Sequence, residues 1–221
     1  MTALAIAHRA GNSLAGLHAA NLLGVDVIEC DVHEHRGRLE VRHLKTAGPL
    51  PFLWDRWELA SASAPRLGLD ELLEANRQGT TFMLDLKGRR TSTARLVTEL
   101  LHEGGHHRPI LVCGRWWPAV DALSELDYVR PVLSARNRLE LAKLCQRLAR
   151  RPSSGRPTYG VSVHRSLLDE ATVAELHDSV EVVMTWPIDD LPSLEAMLDL
   201  GVTGIISNEP FVLAQLTARQ E

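Results

Sequence analysis

The chain is poor in cysteine. Cys30, Cys113 and Cys145 are spread widely over 221 residues. A sparse, odd set argues against a disulfide scaffold, suits a reducing compartment, and contains no CxxC pair to bind a metal through thiolates. Long apolar runs are also missing. No uninterrupted stretch approaches the roughly 20 residues of a membrane span, and the N-terminus has no basic, long-apolar, small-residue signal arrangement. The expectation is a cytoplasmic protein with no stable membrane insertion. There is no excess of positive charge either. Lys and Arg number 24 against 28 Asp and Glu, a net charge of −4, so nothing draws the chain as a whole to nucleic acid or to anionic membrane. Basic residues do cluster locally, at Lys87, Arg89 and Arg90 and at Arg147, Arg150, Arg151 and Arg156; the second group reads as a solvated helix end and loop. No GxGxxG follows the first apolar run, which removes the dinucleotide fingerprint. TWPIDD and ISNEP offer no glycine-rich phosphate loop of the kind that barrel isomerases use.

What is present is a regular alternation of short apolar runs and amphipathic stretches. Strands are expected at 3–8, 25–32, 39–44, 81–87, 110–114, 160–164, 180–186 and 202–207, with a further one at 128–135 interrupted by Pro131. Helices are expected at 13–23, 69–78, 93–104, 117–126, 138–151, 169–179, 191–200 and 210–219. Ser13 is a candidate N-cap of the first helix and Gly24 its stop. The turn HEHRG, with His33 and His35, reads as exposed, and His106 and His107 read as loop residues. Residues 45–68 carry no clear period, and a long loop of this kind in a compact domain is often functional. About eight strand–helix units with one short extra strand imply right-handed crossovers and a parallel sheet. Eight units in this length favour one closed α/β domain over residues 1–221, a (β/α)8 barrel.

Active groups of such barrels sit at the C-terminal ends of the strands. His8, Glu29, Asp31, Asp85, Lys87, His164, Trp186 and Asn208 all fall at or near a strand end, and that shared placement points to one site. Glu29 and Asp31 are two apart on a strand and face the same side. Adjacent carboxylates repel unless a cation lies between them, and a hard divalent ion, Mg²⁺ or Ca²⁺, takes oxygen ligands. Asp85 is a third candidate ligand, and Lys87 faces the same rim. The alternative for a single acid is an ion pair with Arg9. His8 and His43 are the candidate proton-transfer pair. Arg9 and Lys87 suit phosphate oxygens. His164 and Trp186 are candidate pocket walls, while Trp54 and Trp57 either cover the site or pin the aperiodic segment. Metal-assisted phosphodiester chemistry on a small molecule is the reading these residue types support.

Six segments carry a resemblance in order and spacing: AHRAGNS at 7–13, GVDVIECDV at 24–32, VRHL at 41–44, LDLK at 84–87, VVMTWPI at 182–188 and GVTGIISNEP at 201–210. The chain resembles the glycerophosphodiester phosphodiesterase family nearly end to end. The resemblance implies a barrel hydrolase with one divalent cation on Glu29, Asp31 and Asp85, His8 and His43 as acid and base, and Arg9 and Lys87 on phosphate. It also implies attack on phosphorus by the substrate's own neighbouring hydroxyl, through a cyclic phosphate that water then opens. The chain departs from the family pattern at Ala10 for glycine, Leu44 for the aspartate after the second histidine, Asp85 for glutamate and Asn208 for the closing aspartate. An aspartate at the third acid is shared with the related sphingomyelinase D-like phospholipases, which leaves choline lysophospholipids and sphingolipids as alternative substrates. A catalytically silent barrel that binds a phosphorylated ligand is the rival from another class.

Overall fold

The computed structural model describes residues 2–48, 50–55, 58–105, 107–150 and 157–220. Trp57, His106, Arg151 and Arg156 lie outside these residues. Strand β1 (Leu4–Ala7) is followed by helix α1 (Leu14–Leu22) and strand β2 (Val27–His35). Four short strands come next, β3 (Arg38–Val41), β4 (Lys45–Thr46), β5 (Phe52–Asp55) and β6 (Glu58–Ser61). The alternation then resumes as α2 (Leu69–Ala75), β7 (Thr81–Leu86), α3 (Ser92–Glu103), β8 (Ile110–Gly114), α4 (Trp117–Leu123) and β9 (Val129–Ala135). It closes with α5 (Arg138–Ala149), β10 (Gly160–His164), α6 (Glu170–His177), β11 (Val182–Trp186), α7 (Leu191–Asp199), β12 (Gly204–Ser207) and α8 (Pro210–Thr217).

Strands β1, β2 and β7 to β12 pair in parallel in chain order, and β12 returns to β1. The result is a closed (β/α)8 barrel, as the alternation implies. Period-two alternation sorts the side chains of each strand. On β2, Ile28, Cys30 and Val32 join the layer between strands and helices, whereas Val27 packs in the barrel interior with Ile6, Met83, Leu111, Val132, Val182, Met184 and Ile206. Glu29 and Asp31 share the parity of Val27, so they continue that interior upward from its apolar floor. Gly204 makes room in this interior: a Cβ there would lie 2.7 Å from Met184 Cγ.

Local chemistry explains the element ends. Ser13 caps α1, its hydroxyl accepting from the Gly16 amide at 3.0 Å, and Gly24 ends the turn at φ 67°. Asn137, Asp169 and Asp190 cap α5, α6 and α7 in the same way.

Three features differ from the expectation. β9 runs through Pro131 without a break. The Pro131 carbonyl accepts from the Tyr159 amide at 2.9 Å, just before β10 starts at Gly160, so its missing N–H falls where the neighbouring ladder has not yet begun. HEHRG is not a loop. β2 continues to His35 and pairs antiparallel with β3, leaving a two-residue turn at Arg36 and Gly37, both at positive φ (50° and 77°). His33 and His35 are accordingly half-buried strand residues. The aperiodic segment 45–68 holds a small antiparallel sheet, β4–β5–β6. Strands of two to four residues are too short to show a period.

Candidate active site at the C-terminal rim

The parallel register brings the acids together. Asp31 on β2 lies directly beside Asp85 on β7, and Glu29 sits one interior step below Asp31. Ligand atoms of the three carboxylates fall within 4.8 Å of one another. Glu29 is 3% exposed and Asp31 1%. Burial, and then the charge of Asp31, push the Glu29 carboxyl up to about 8. Burial also raises Asp85. Asp31 goes the other way. Burial alone would raise it, but hydrogen bonds from His43, Lys87 and Asn12 and the charge of Lys87 hold it well below the carboxylate range.

Lys87 is the cation of this cluster. Its ammonium lies 2.5 Å from Asp31 Oδ1 and also contacts Asp85. Burial would depress it, but Asp85, Asp31 and Glu29 together raise it above the ordinary lysine value. Three clustered carboxyl groups face this ammonium and the partly exposed Arg9 guanidinium. Carboxylate oxygens in this number and proximity fit a hard divalent cation.

Arg9 lies at φ 56°, in the left-handed region, a conformation that costs an L-residue about 1–2 kcal/mol. It turns the Arg9 amide onto Glu29 Oε2 at 2.6 Å, while the guanidinium Nε stands 3.6 Å from Asp31 Oδ2 and remains partly exposed. Asn12 closes the same turn against β2. Its Nδ2 donates to Asp31 Oδ2 at 2.9 Å, and its Oδ1 accepts from the Asp31 amide at 2.8 Å.

His8 extends β1, its amide donating to the Ser207 carbonyl at 2.9 Å. Its Nδ1 is 2.7 Å from Asn208 Oδ1. The polarity of that contact follows from Asp189, which accepts from the Asn208 backbone amide at 2.9 Å and from Nδ2 at 3.2 Å. The amide nitrogen of Asn208 thus faces a carboxylate and its oxygen faces His8. This assigns the proton to Nδ1 and leaves the Nε2 lone pair for chemistry. Burial and the neighbouring Arg9 lower His8 to about 4, so the ring is neutral at pH 7. His43 lies past the end of β3. Its Nδ1 is 3.2 Å from Asp31 Oδ2 and its Nε2 2.8 Å from Asp55 Oδ2.

His164 and Trp186 are register neighbours on β10 and β11, with rings edge-to-face at 5.1 Å. Their wall lies across the barrel from the acids, since β10 and β11 are not adjacent to β2 or β7. Trp54 does not share the face of Asp55. It stands 44% exposed under the Lys45 ammonium, 5.4 Å from its ring centre.

Arg9, Glu29, Asp31, His43, Asp85 and Lys87 are therefore linked in one polar cluster, and His8, next to Arg9 in the chain and bonded to Asn208, stands on the same rim with His164 and Trp186. The sequence reading missed three members. Asn12 lies in AHRAGNS and Asp189 in TWPIDD, each just past a strand end that the reading had singled out. Asp55 carried no such signal, because only the small sheet brings it near.

No family model matches the chain, and no curated protein matches it. Solved structures do. A phosphodiesterase from Oleispira antarctica, solved in complex with the product sn-glycerol-3-phosphate, matches with a TM-score of 0.76 at 18% identity, over 98% of this chain and 97% of that one. Glycerophosphodiester phosphodiesterases from Parabacteroides distasonis (TM-score 0.71, 19% identity, 100% and 99% covered) and Thermotoga maritima (0.72, 14%, 100% and 100%) match as well. The fold is that of solved glycerophosphodiester phosphodiesterases. At these identities the likeness is one of architecture over the whole chain.

Proposed function

We propose that this chain is a metal-dependent phosphodiesterase that hydrolyses glycerophosphodiesters to glycerol 3-phosphate and an alcohol. The observation that carries the reading is the meeting of Glu29, Asp31 and Asp85 within 4.8 Å at the rim, linked to His43 through Asp31 and to the His8–Arg9 turn through Glu29. Glu29, Asp31 and Asp85 would hold one divalent cation, Mg²⁺ or Ca²⁺. When bound, such an ion polarises the phosphate and acidifies a nearby hydroxyl.

The rest is done by the chain's own groups. Arg9 and Lys87 hold the phosphate oxygens. His8, neutral and with Nε2 unprotonated, takes the proton of the substrate hydroxyl that neighbours the phosphate. That hydroxyl attacks phosphorus and the alcohol leaves as His43 protonates its oxygen, giving a cyclic phosphate. In the second half His43 takes a proton from water, the ring opens, and His8 returns its proton to the freed hydroxyl, restoring both histidines. His164 and Trp186 wall the part of the pocket away from the phosphorus.

Asp85, an aspartate as third acid, favours one second reading, a sphingomyelinase D-like enzyme that stops at the cyclic phosphate of a lysophospholipid. Phosphorus NMR of glycerophosphocholine and lysophosphatidylcholine with the protein, with Mg²⁺, Ca²⁺ or EDTA, separates the readings. Metal-dependent glycerol 3-phosphate supports the first. A cyclic product from the lysolipid selects the second. No conversion with either metal would sink both and leave a phosphate-binding barrel without activity, which thermal shifts with the same ligands would reveal.

A further inference from the structure

His43 is the member of the cluster that the barrel itself does not hold. It lies two residues past β3, an antiparallel addition to β2. Two carboxylates fix its ring, and they differ. Asp31 Oδ2 is 3.2 Å from Nδ1 and also receives Asn12 and faces Arg9. Asp55 Oδ2 makes the shorter contact, 2.8 Å to Nε2. Asp55 ends β5, two residues after Leu53 and therefore on the same face of the small sheet. Leu53 is 1% exposed, so that face packs inward. The opposite face carries Lys45, Trp54 and Leu59 in one cross-strand row, all exposed or partly so. The small sheet is thus oriented by burial of Leu53, and that burial sets Asp55 on His43. Lys45 Nζ, 3.9 Å from Asp55 Oδ1, keeps a positive charge beside the carboxylate. At the position directly after His43 the chain has Leu44, which offers no polar group to the ring.

We propose that Asp55 is the positioning residue for His43, accepting a hydrogen bond from Nε2–H so that Nδ1 is the nitrogen turned toward the acid cluster. The aperiodic insert then supplies part of the catalytic geometry instead of only covering it. When His43 gives its Nδ1 proton to the departing alcohol oxygen, the neutral ring keeps its Nε2–H, still donated to Asp55, and so stays in one tautomer and one orientation. The inference deepens the proposed phosphodiesterase reading and rests on its assignment of His43.

The test uses the full chain with Asp55→Ala, Asp55→Glu and the shape-conserving Asp55→Asn, each checked by circular dichroism melting. Nitrogen-15 NMR of the histidine rings, with His43→Gln for assignment, reads the tautomer without any need for turnover. The wild type is expected to show a protonated, pyrrole-type Nε2 on His43. Asp55→Ala is expected to give a mixed or Nδ1–H ring and to lower kcat roughly 10- to 100-fold, with KM changed less than about threefold. Asp55→Glu is expected to recover part of the loss. A His43 nitrogen spectrum unchanged by Asp55→Ala, or by Asp55→Asn if the alanine variant does not fold, overturns the proposal, and so does wild-type kcat in those variants. A wild type that turns over no diester would defeat the proposed activity and not this contact, which the ring spectrum still decides.

Discussion

At the scale of single residues, the site is organised by who holds whose proton. His8 shows this most directly. Its ring lies at about 4 when folded against 6.5 for a free histidine, chiefly through burial. Between those values the unfolded chain binds more protons than the folded one. The stability linked to His8 is therefore complete above pH 6.5 and is lost as pH falls toward 4. His8→Gln should flatten that limb of a urea-midpoint profile measured from pH 4 to 7; a slope equal to that of the wild type would remove the buried neutral ring from the account. His8→Ala should cut turnover by roughly 10²- to 10⁴-fold while the melting temperature stays near that of the parent. The identity of the candidate acids, base and cation was legible in the sequence because each ended an apolar run. What they bond to was not. Asn208, seen in the sequence only as the loss of an aspartate, proves to bridge Asp189 to His8. An asparagine in that place still fixes a tautomer, as an amide oxygen accepts an N–H as an aspartate would.

At the scale of elements, the barrel strands declared themselves by composition and the additions to the barrel did not. The strands are buried on both sides and read as continuous apolar runs. The β2–β3 hairpin escaped because its polar residues, His33, Glu34 and His35, look like a loop by composition. It is the pairing with Glu40, Leu39 and Arg38 that makes them a strand. Its turn gives a clean prediction. Gly37 sits at φ 77° with open space around a notional Cβ. Gly37→Val should therefore act through backbone strain alone, costing about 1–2 kcal/mol and lowering the melting temperature by a few degrees in a chain of this size. An unchanged melting curve would show that the turn adjusts freely. The β4–β6 sheet escaped for a different reason, since its strands are shorter than the window in which a period can be read.

For the whole molecule, the cluster of two buried carboxylates and one half-buried one around Lys87 predicts a stability that depends on divalent cations. Raised values at Glu29 and Asp85 mark the cost of assembling those carboxylates in the fold. An ion that binds only the folded chain adds about 2.7 kcal/mol at a hundredfold excess over its dissociation constant, which corresponds to a melting shift of roughly 5–10 °C at this length. Mg²⁺ or Ca²⁺ should raise the melting temperature of the wild type, EDTA should reverse it, and Glu29→Gln should abolish the shift and the heat of binding in calorimetry. A wild-type shift that persists in Glu29→Gln would sink the ligand assignment. Among the described residues no helix is long and apolar enough to cross a membrane.

The amino-acid sequence by itself determined the architecture and named the candidates for the site. Eight alternating units of this length close in only one common way, and period-two alternation decides which strand residues face the interior. Those are local properties, carried by neighbours in the chain. The tertiary structure decided the partnerships. Parallel register set Asp31 beside Asp85, barrel closure brought His8 to Asn208 across 200 residues of chain, and the burial of Leu53 delivered Asp55 to His43. Each of these depends on a contact between segments distant in sequence, and no local pattern of hydrophobicity or charge encodes the distance between two side chains that meet only when the barrel is closed.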